Sequence, residues 1–243
     1  MHRFFVTTID NDRVDFSDEQ AHQMRQVLRM GVGDRVMVLV DGDGWEFEAE
    51  LVQVDRKGVT AVIHQKQPVI TEPDVKLTLY QSLLKRDNFE WVLQKGTEIG
   101  VSRFVPLLSE RTVARPPKKL DRWQRIVTEA AEQSGRGCIP KIAQPIKLTD
   151  VLENWQPDQA GLIPWVAADN VTIGSALAQA ESVEAEALAD AVSVFIGPEG
   201  GWTDDEVENG RSAGLIPVTL GKRILRAETA AIVAVSLVMQ TSD

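Results

Sequence analysis

Apolar and polar positions alternate through the first seventy residues of the chain, then give way to longer apolar runs separated by amphipathic stretches. Arg35–Val40 runs into the turn Asp41-Gly42-Asp43-Gly44. Trp45–Val52 then alternates apolar and acidic side chains with period two, and Lys57-Gly58 turns into Val59–Ile63. This spacing predicts a small antiparallel sheet, closed as a barrel, with one polar face. One helix interrupts it: Ser17 and Gln20 form a capping box, and Gly31 is expected just past the helix end. Residues 66–74 hold two prolines and little periodicity, which places a linker there.

The remaining chain reads as strands and helices in turn. Lys76–Gln81 is a strand. Asp87 and Glu90 mark a helix start, with Phe89, Val92, Leu93, Gly96 and Ile99 on one face and Gly100 as the stop. Val101–Leu108 is a strand. Pro117–Ser134 is expected to be helical, with Leu120, Trp123, Ile126, Val127, Ala130 and Ala131 as its buried stripe and Gly135 as its cap. Thr149 caps a short helix to Trp155, Gly161–Val166 is a strand, and Thr172–Ala180 is a weak helix before an acidic stretch to Asp190. Two strand, loop, helix units follow. Val194–Ile196 enters Gly197-Pro198-Glu199-Gly200-Gly201, and Ile216–Leu220 enters Gly221-Lys222-Arg223-Ile224-Leu225-Arg226. Thr203 and Glu206 form a capping box, and Trp202 and Val207 have the spacing of a hydrophobic staple. The helix should therefore run from Asp204 to near Ala213, with Gly214 left-handed beyond it. From Ala227 to Met239 the last helix is apolar on nearly every face, so core or a partner subunit must cover it. The repeated unit predicts a parallel sheet whose carboxyl edge carries a site.

Charge changes the picture. A formal net charge of −10 argues against a generic nucleic-acid binder. Yet residues 76–147 carry 14 Lys+Arg against 7 Asp+Glu, while 148–243 carry 4 against 15. A local basic face holds phosphates even on an acidic protein, because salt screens charge beyond about 10 Å. Lys118, Lys119, Arg122 and Arg125 fall in the first half of the expected 117–134 helix. Such a run is either a solvated face or a phosphate-binding one; cations at a helix start oppose its dipole, a cost that phosphate contacts would offset. The single cysteine, Cys138, rules out an internal disulfide and fits a reducing cytosol. No Cys/His cluster has metal-ligand spacing, so no metal is expected. No run of about 18 apolar residues predicts a membrane span, and Met1–Val6 is too short and too soon followed by acidic residues to be a signal peptide.

Two stretches carry more than local structure. IGPEGG at 196–201 and LGKRILRAETA at 220–230 together resemble the C-terminal signature of the RsmE-type ribosomal RNA uridine-N3 methyltransferases, a family of the SPOUT class. Leu84-Lys85-Arg86, Gln94–Val101, Ser109-Glu110-Arg111, Glu129–Arg136 and the His22…Val27-Leu28-Arg29 segment resemble the same family. The resemblance implies a PUA-like RNA-binding β-barrel over 1–70 and a SPOUT α/β domain over 71–243, with a parallel sheet and a deep trefoil knot. It implies a cytoplasmic homodimer that uses S-adenosylmethionine to methylate N3 of a uridine in 16S ribosomal RNA, on the RNA or the small ribosomal subunit. Carried over residue by residue, it assigns the cofactor to Ile196, Gly197, Pro198, Glu199, Gly200, Gly201, Leu220, Gly221, Ile224, Leu225, Arg226, Thr229 and Ala230. RNA contacts fall to Arg3, His22, Arg29, Lys85, Arg86, Arg111, Lys118, Lys119, Arg122 and Arg136.

Arg226 and Glu228 are the candidate catalytic pair. Charges beside a buried helix are expensive unless paired or used, so they either pair with neighbours or serve the chemistry. The same choice holds for Glu98, set near the carboxyl end of its helix against the dipole. His22 reads either as a packed side chain of a covering helix, with Val27 and Leu28 inward, or as an RNA contact. Ribose 2′-O methylation by the same cofactor chemistry and passive RNA binding are the rival functions.

Overall fold

A computed structural model describes residues 1–85, 87–156, 160–168, 170–183 and 191–242. Its contacts divide the chain into two compact units, Met1–Glu72 with Thr128–Ile139, and Pro73–Val127 with Pro140–Asp243.

The first unit contains strands β1 (His2–Val6), β2 (Arg13–Asp15), β3 (Arg35–Val40), β4 (Trp45–Asp55) and β5 (Gly58–Pro68), paired in the order β1-β3-β4-β5-β2. The β3–β4–β5 meander is antiparallel, as the alternation predicts. Phe4, Val36, Val38, Ala49, Leu51 and Met24 fill its core. Three expectations are corrected. β1 pairs with β3 in parallel, because periodicity within a strand cannot report the direction of its partner. Backbone pairing runs from β1 to β2 without closing on itself among the described residues. And β5 extends to Pro68, so less of 66–74 is linker than the prolines suggest.

The interrupting helix begins as expected. Ser17 and Gln20 form both halves of the capping box at the start of α1 (Asp18–His22). It then widens into a π-helical turn over Gln23–Val27, with the Leu28 N–H reaching the Gln23 carbonyl at 3.0 Å. Widening shifts the phase of the face: Met24 stays buried, but Val27 turns outward and is 68% exposed. Gly31 does not close the helix. Arg29 does, at φ +56°, a region few non-glycine residues adopt.

The helix α3 covers Asp121–Ser134 rather than 117–134, so Lys118 and Lys119 lie ahead of it and Asp121 sits in the first turn, where the dipole favours an acid. Its second half belongs to the first unit. Ala131 packs with Phe5 and Leu39, and Glu132 accepts the Phe5 N–H at 3.0 Å. Beyond the left-handed Gly135, Arg136 is 4% exposed. Its Nη2 and Nε donate to the Glu72 carboxylate at 2.7 and 3.3 Å, and Glu72 also accepts the Gly137 N–H at 2.8 Å.

The second unit contains β6 (Lys76–Ser82), β7 (Arg103–Leu108), β8 (Lys141–Ile142), β9 (Ile146–Lys147), β10 (Ala160–Pro164), β11 (Ala191–Ile196) and β12 (Ile216–Val218). They pair in the order β12-β10-β11-β6-β7-β8, with β9 also on β7, and every described pairing is parallel. Its helices are α2 (Asn88–Ile99), the first half of α3, α4 (Leu148–Glu153), α5 (Ile173–Val183), α6 (Asp204–Ser212) and α7 (Ala227–Ser242). Thr149 lies inside α4, whose cap is Lys147, and the acidic stretch 184–190 lies outside the described residues. Val194, Leu77, Leu79 and Leu162 are fully buried along the central strands. Tyr80 stacks on Phe195 at 4.3 Å, and Trp155 meets Phe195 edge-on at 5.3 Å. Gly161 is obligatory at this crowded point: a Cβ there would stand 2.4 Å from the Leu215 side chain and 2.8 Å from the Trp155 ring.

Burial pushes the Glu132 carboxyl up to about 7, assisted by Glu129 and opposed by the Phe5 N–H. Its folded pKa therefore lies above the usual value of 4.5, and the folded state binds the extra proton between the two. The stability this contributes is present in acid and lost as pH rises through about 7. Glu132→Gln keeps an acceptor for Phe5 without titrating. Urea unfolding at pH 5 and pH 8 should show the wild type losing about 1–2 kcal/mol relative to the variant, a value discounted for residual solvent exposure. Parallel pH dependences would refute the assignment.

Candidate functional site

The site is built at the carboxyl edge of the parallel sheet. After β11 the chain enters Gly197–Gly201, and the Gly201 N–H closes a turn onto the Pro198 carbonyl at 2.9 Å. Gly201 has φ +69°, which disfavours any side chain. Two outside groups and the buried side chain that follows it hold this loop. Arg111 Nη1 donates to the Gly200 and Trp202 carbonyls at 3.0 and 3.1 Å. Glu199 Oε1 accepts the Lys85 N–H at 2.8 Å. Trp202 is buried against Val207, as the staple predicts. α6 follows with both halves of its capping box formed, and Gly214 is left-handed beyond Ala213. Glu206 serves twice, accepting the Thr203 N–H at 2.9 Å through one oxygen and the Glu110 N–H at 2.8 Å through the other.

After β12, Leu220–Arg226 leads into α7. Gly221 is left-handed at φ +100°, and residues 221–224 are exposed. A third loop completes the site. Pro164 ends β10 and Trp165 and Val166 follow it, and the Trp165 N–H bonds the Val218 carbonyl of β12 at 3.0 Å. Together the three loops surround a cavity of about 560 Å³. Ile196, Leu225, Ala227 and Ala230 give it apolar wall; Asn88, Arg111, Arg223, Arg226 and Glu228 give it polar wall.

The structure brings all the sequence-assigned cofactor residues except Thr229 to this cavity; Thr229 is exposed and outside its lining. Arg226 and Glu228 both line it, and neither forms an ion pair among the described residues. Pairing with neighbours therefore does not account for these two charges. It does account for Glu98, whose Oε1 meets Lys95 Nζ at 2.7 Å. Pro164, Trp165 and Val166 read in sequence as the end of a strand and carried no local mark of a site, because their place depends on β10 lying between β11 and β12. Asn88 was equally silent at the start of α2.

The residues assigned to RNA divide. Lys85, Lys118, Lys119 and Arg122 are exposed on the second unit, with Arg122 paired to Glu90 at 2.6 Å. His22 and Arg29 are exposed on the first unit. Arg3 is half-buried and paired with the buried Glu46. Arg111 bonds the Gly200 loop, and Arg136 is interior and paired with Glu72, which corrects the expectation that it contacts RNA. Arg86 lies outside the described residues. Among the described residues no group of three or more His, Cys, Asp or Glu could hold a metal, and no helix is long and apolar enough to cross a membrane.

Comparison with known proteins settles the family. The RNA methyltransferase domain family matches residues 71–239, and the RNA methyltransferase PUA domain family matches residues 16–63. A ribosomal RNA small subunit methyltransferase E from Synechocystis is 39% identical over 92% of this chain and 71% of its own length. The chain belongs to the ribosomal RNA small subunit methyltransferase E family. The Bacillus subtilis member is 31% identical over 100% of this chain and 98% of its own. The crystal structure of the Neisseria gonorrhoeae member bound to S-adenosyl methionine superposes with a TM-score of 0.86, at 31% identity over 99% of this chain and 97% of that one.

Glu206 offers a direct check on how the first loop is supported. Glu206→Ala removes half the capping box and the bond to Glu110, and should lower the unfolding free energy by about 1–2 kcal/mol in urea titrations. Glu206→Gln, which keeps an acceptor, should recover most of it. Equal stability of all three proteins would contradict this view of the support.

Proposed function

We propose that the protein transfers a methyl group from S-adenosylmethionine to N3 of a uridine in 16S ribosomal RNA of the small subunit, in the cytoplasm and as a homodimer. The observation that carries the reading is the cavity itself: two glycine-bearing loops line a pocket at whose wall an arginine and a carboxylate stand without ion-pair partners among the described residues.

The lining fits the cofactor. Apolar Ile196, Leu225 and Ala230 suit an adenine and a thioether, while main-chain groups of 197–201 and 220–221 suit the hydrogen-bonding edges of the base and ribose. When bound, S-adenosylmethionine would supply a methyl group on a sulfonium: the acceptor nitrogen takes the methyl carbon in line while the C–S bond breaks and the neutral thioether leaves. The protein's own work is alignment and charge. Holding donor and acceptor in line contributes up to about 7–11 kcal/mol. Arg226 stabilises the negative charge that develops on the uracil oxygens as N3 loses its proton. Glu228, one residue into α7, accepts that proton directly or through water. Pairing blocks N3 in a duplex, so the target base must be single-stranded or extruded.

The wider reading draws on the rest of the chain. The first unit, with exposed His22 and the strained Arg29, serves as a PUA-like RNA-binding domain beside a SPOUT methyltransferase domain. Exposed Lys118 and Lys119 reach RNA phosphates. On this reading the chain between β11 and α7, which forms α6 and β12, is tied in a trefoil knot. α7 keeps Leu237 38% exposed and Val233 half-buried on one face, which suits burial against a second copy.

Small ribosomal subunits lacking the modification, incubated with labelled S-adenosylmethionine and the protein, should yield 3-methyluridine by nucleoside mass spectrometry. A ribose-methylated nucleoside would instead establish 2′-O transfer, and no calorimetric binding of millimolar cofactor would leave passive RNA binding. Arg226→Ala should lower kcat roughly 10²–10³-fold with the cofactor Kd within threefold of wild type. Unchanged kcat would remove Arg226 from the chemistry.

A further inference from the structure

A second cavity, of about 330 Å³, has no part in the methyl-transfer chemistry. Its floor is apolar. Leu83, Leu84, Phe89 and Trp123 are all buried, and the Phe89 and Trp123 rings meet at 4.5 Å with planes tilted by 35°. Its rim is charged: Lys85 and Arg115 are exposed, and Glu90 holds Arg122.

Two chain segments wall both cavities. At the start of α2, Asn88 lines the large one while Phe89 and Glu90 line the small one. After β7, Arg111 lines the large one while Ala114, Arg115 and Pro117 line the small one. Lys85, on the rim of the small cavity, also bonds Glu199 of the large one through its N–H at 2.8 Å. The cavities are neighbours at one edge of the sheet, separated by little more than the first turn of α2.

An aromatic and aliphatic floor beneath a cationic rim suits a flat, weakly polar ring that carries an anion, which is the chemistry of a nucleotide. The geometry points to a subsite that holds a second unstacked nucleotide of the substrate RNA, adjacent along the strand to the one entering the large cavity. This inference rests on the methyltransferase reading above. Lys85 and Arg115 take the phosphate. Glu90, whose Oε2 is engaged by Arg122 at 2.6 Å, turns Oε1 to an N–H of the base. Requiring two neighbouring bases out of the stack sharpens the choice of site, because pairing at either position resists extraction.

The test uses the full-length protein and a fluorescently labelled single-stranded RNA of about ten nucleotides, with binding read by anisotropy. Ala114→Phe fills the cavity, and Arg115→Glu reverses one rim charge. Each should weaken RNA binding about tenfold while the calorimetric Kd for S-adenosylmethionine stays within twofold of wild type. RNA affinities within twofold of wild type in both variants would overturn the subsite. An equal loss of RNA and cofactor affinity in Arg115→Glu would overturn it too, since that pattern marks damage to the whole fold. If Ala114→Phe does not fold, exposed Arg115 alone decides. Wild-type protein that binds RNA in a manner sensitive to Ala114→Phe, but never binds the cofactor, would sink the methyltransferase reading and leave the nucleotide pocket standing.

Discussion

The position of β10 between β11 and β12 governs the second unit. All three strands run parallel, so the loops that follow them emerge at one edge. Without that order, Gly197–Gly201 and Leu220–Arg226 would be two unrelated βα connections. The order is demanding. After β11 the chain makes α6 and returns, past β10, to lay down a strand only three residues long. Gly161 allows Leu215 and Trp155 to close onto β10 where a side chain would collide. Tyr80, Phe195 and Trp155 then fill the space beneath, so the edge carrying the loops stands on close-packed aromatic rings.

Charge is partitioned along the same lines. Arg136 pairs with Glu72, and Arg3 with Glu46; in each pair one member is buried and the other half-buried, so removing Glu72 or Arg3 would take the ion-pair partner from a buried charge. They are scaffold. Arg226 and Glu228 line a cavity with no ion-pair partner among the described residues, while Lys118 and Lys119 face solvent. A net charge of −10 says little about either group, because the fields that matter act within one Debye length. Sorting cations by burial and pairing, rather than by number, separates those that hold the fold from those available to an RNA.

What was legible in sequence was local. Both capping boxes, the Trp202–Val207 staple and the left-handed Gly214 are set by residues within a few positions of one another, and all are present. The two loops were legible through their joint resemblance to a family signature; taken locally, Gly197–Gly201 reads equally well as an ordinary tight connection between strand and helix. Strand order was not legible, and everything that depends on it was lost: the parallel β1–β3 pair, the contribution of Pro164–Val166, and the packing of Thr128–Ile139 with the first unit. Arg136 shows the same limit. Its sequence neighbourhood gives no sign of burial, and Glu72, far away in the chain, pairs with it in the interior. The π-helical turn at Gln23–Val27 inserts no signal residue, so the outward rotation of Val27 could not be foreseen.

The two glycine-bearing loops at the cavity are not equivalent in how they are held. The first is fixed by Arg111, by the Lys85 N–H on Glu199 and by the capped start of α6, so its backbone is set before any ligand arrives. The second has the Gly221 N–H on Thr219 at 3.1 Å and the Ala230 N–H on the Arg226 carbonyl at 2.8 Å, with Ile224 left 86% exposed. A preformed wall lowers the ordering cost of binding on one side. The opposite wall keeps apolar surface that only a ligand or a neighbouring chain can cover, and full burial of an isoleucine is worth about 1.5–3 kcal/mol. Arg226 stands at the end of that second wall. Ile224 and Arg226 share one short run of backbone, so a ligand that covers the isoleucine also meets the arginine on the less firmly held side of the cavity.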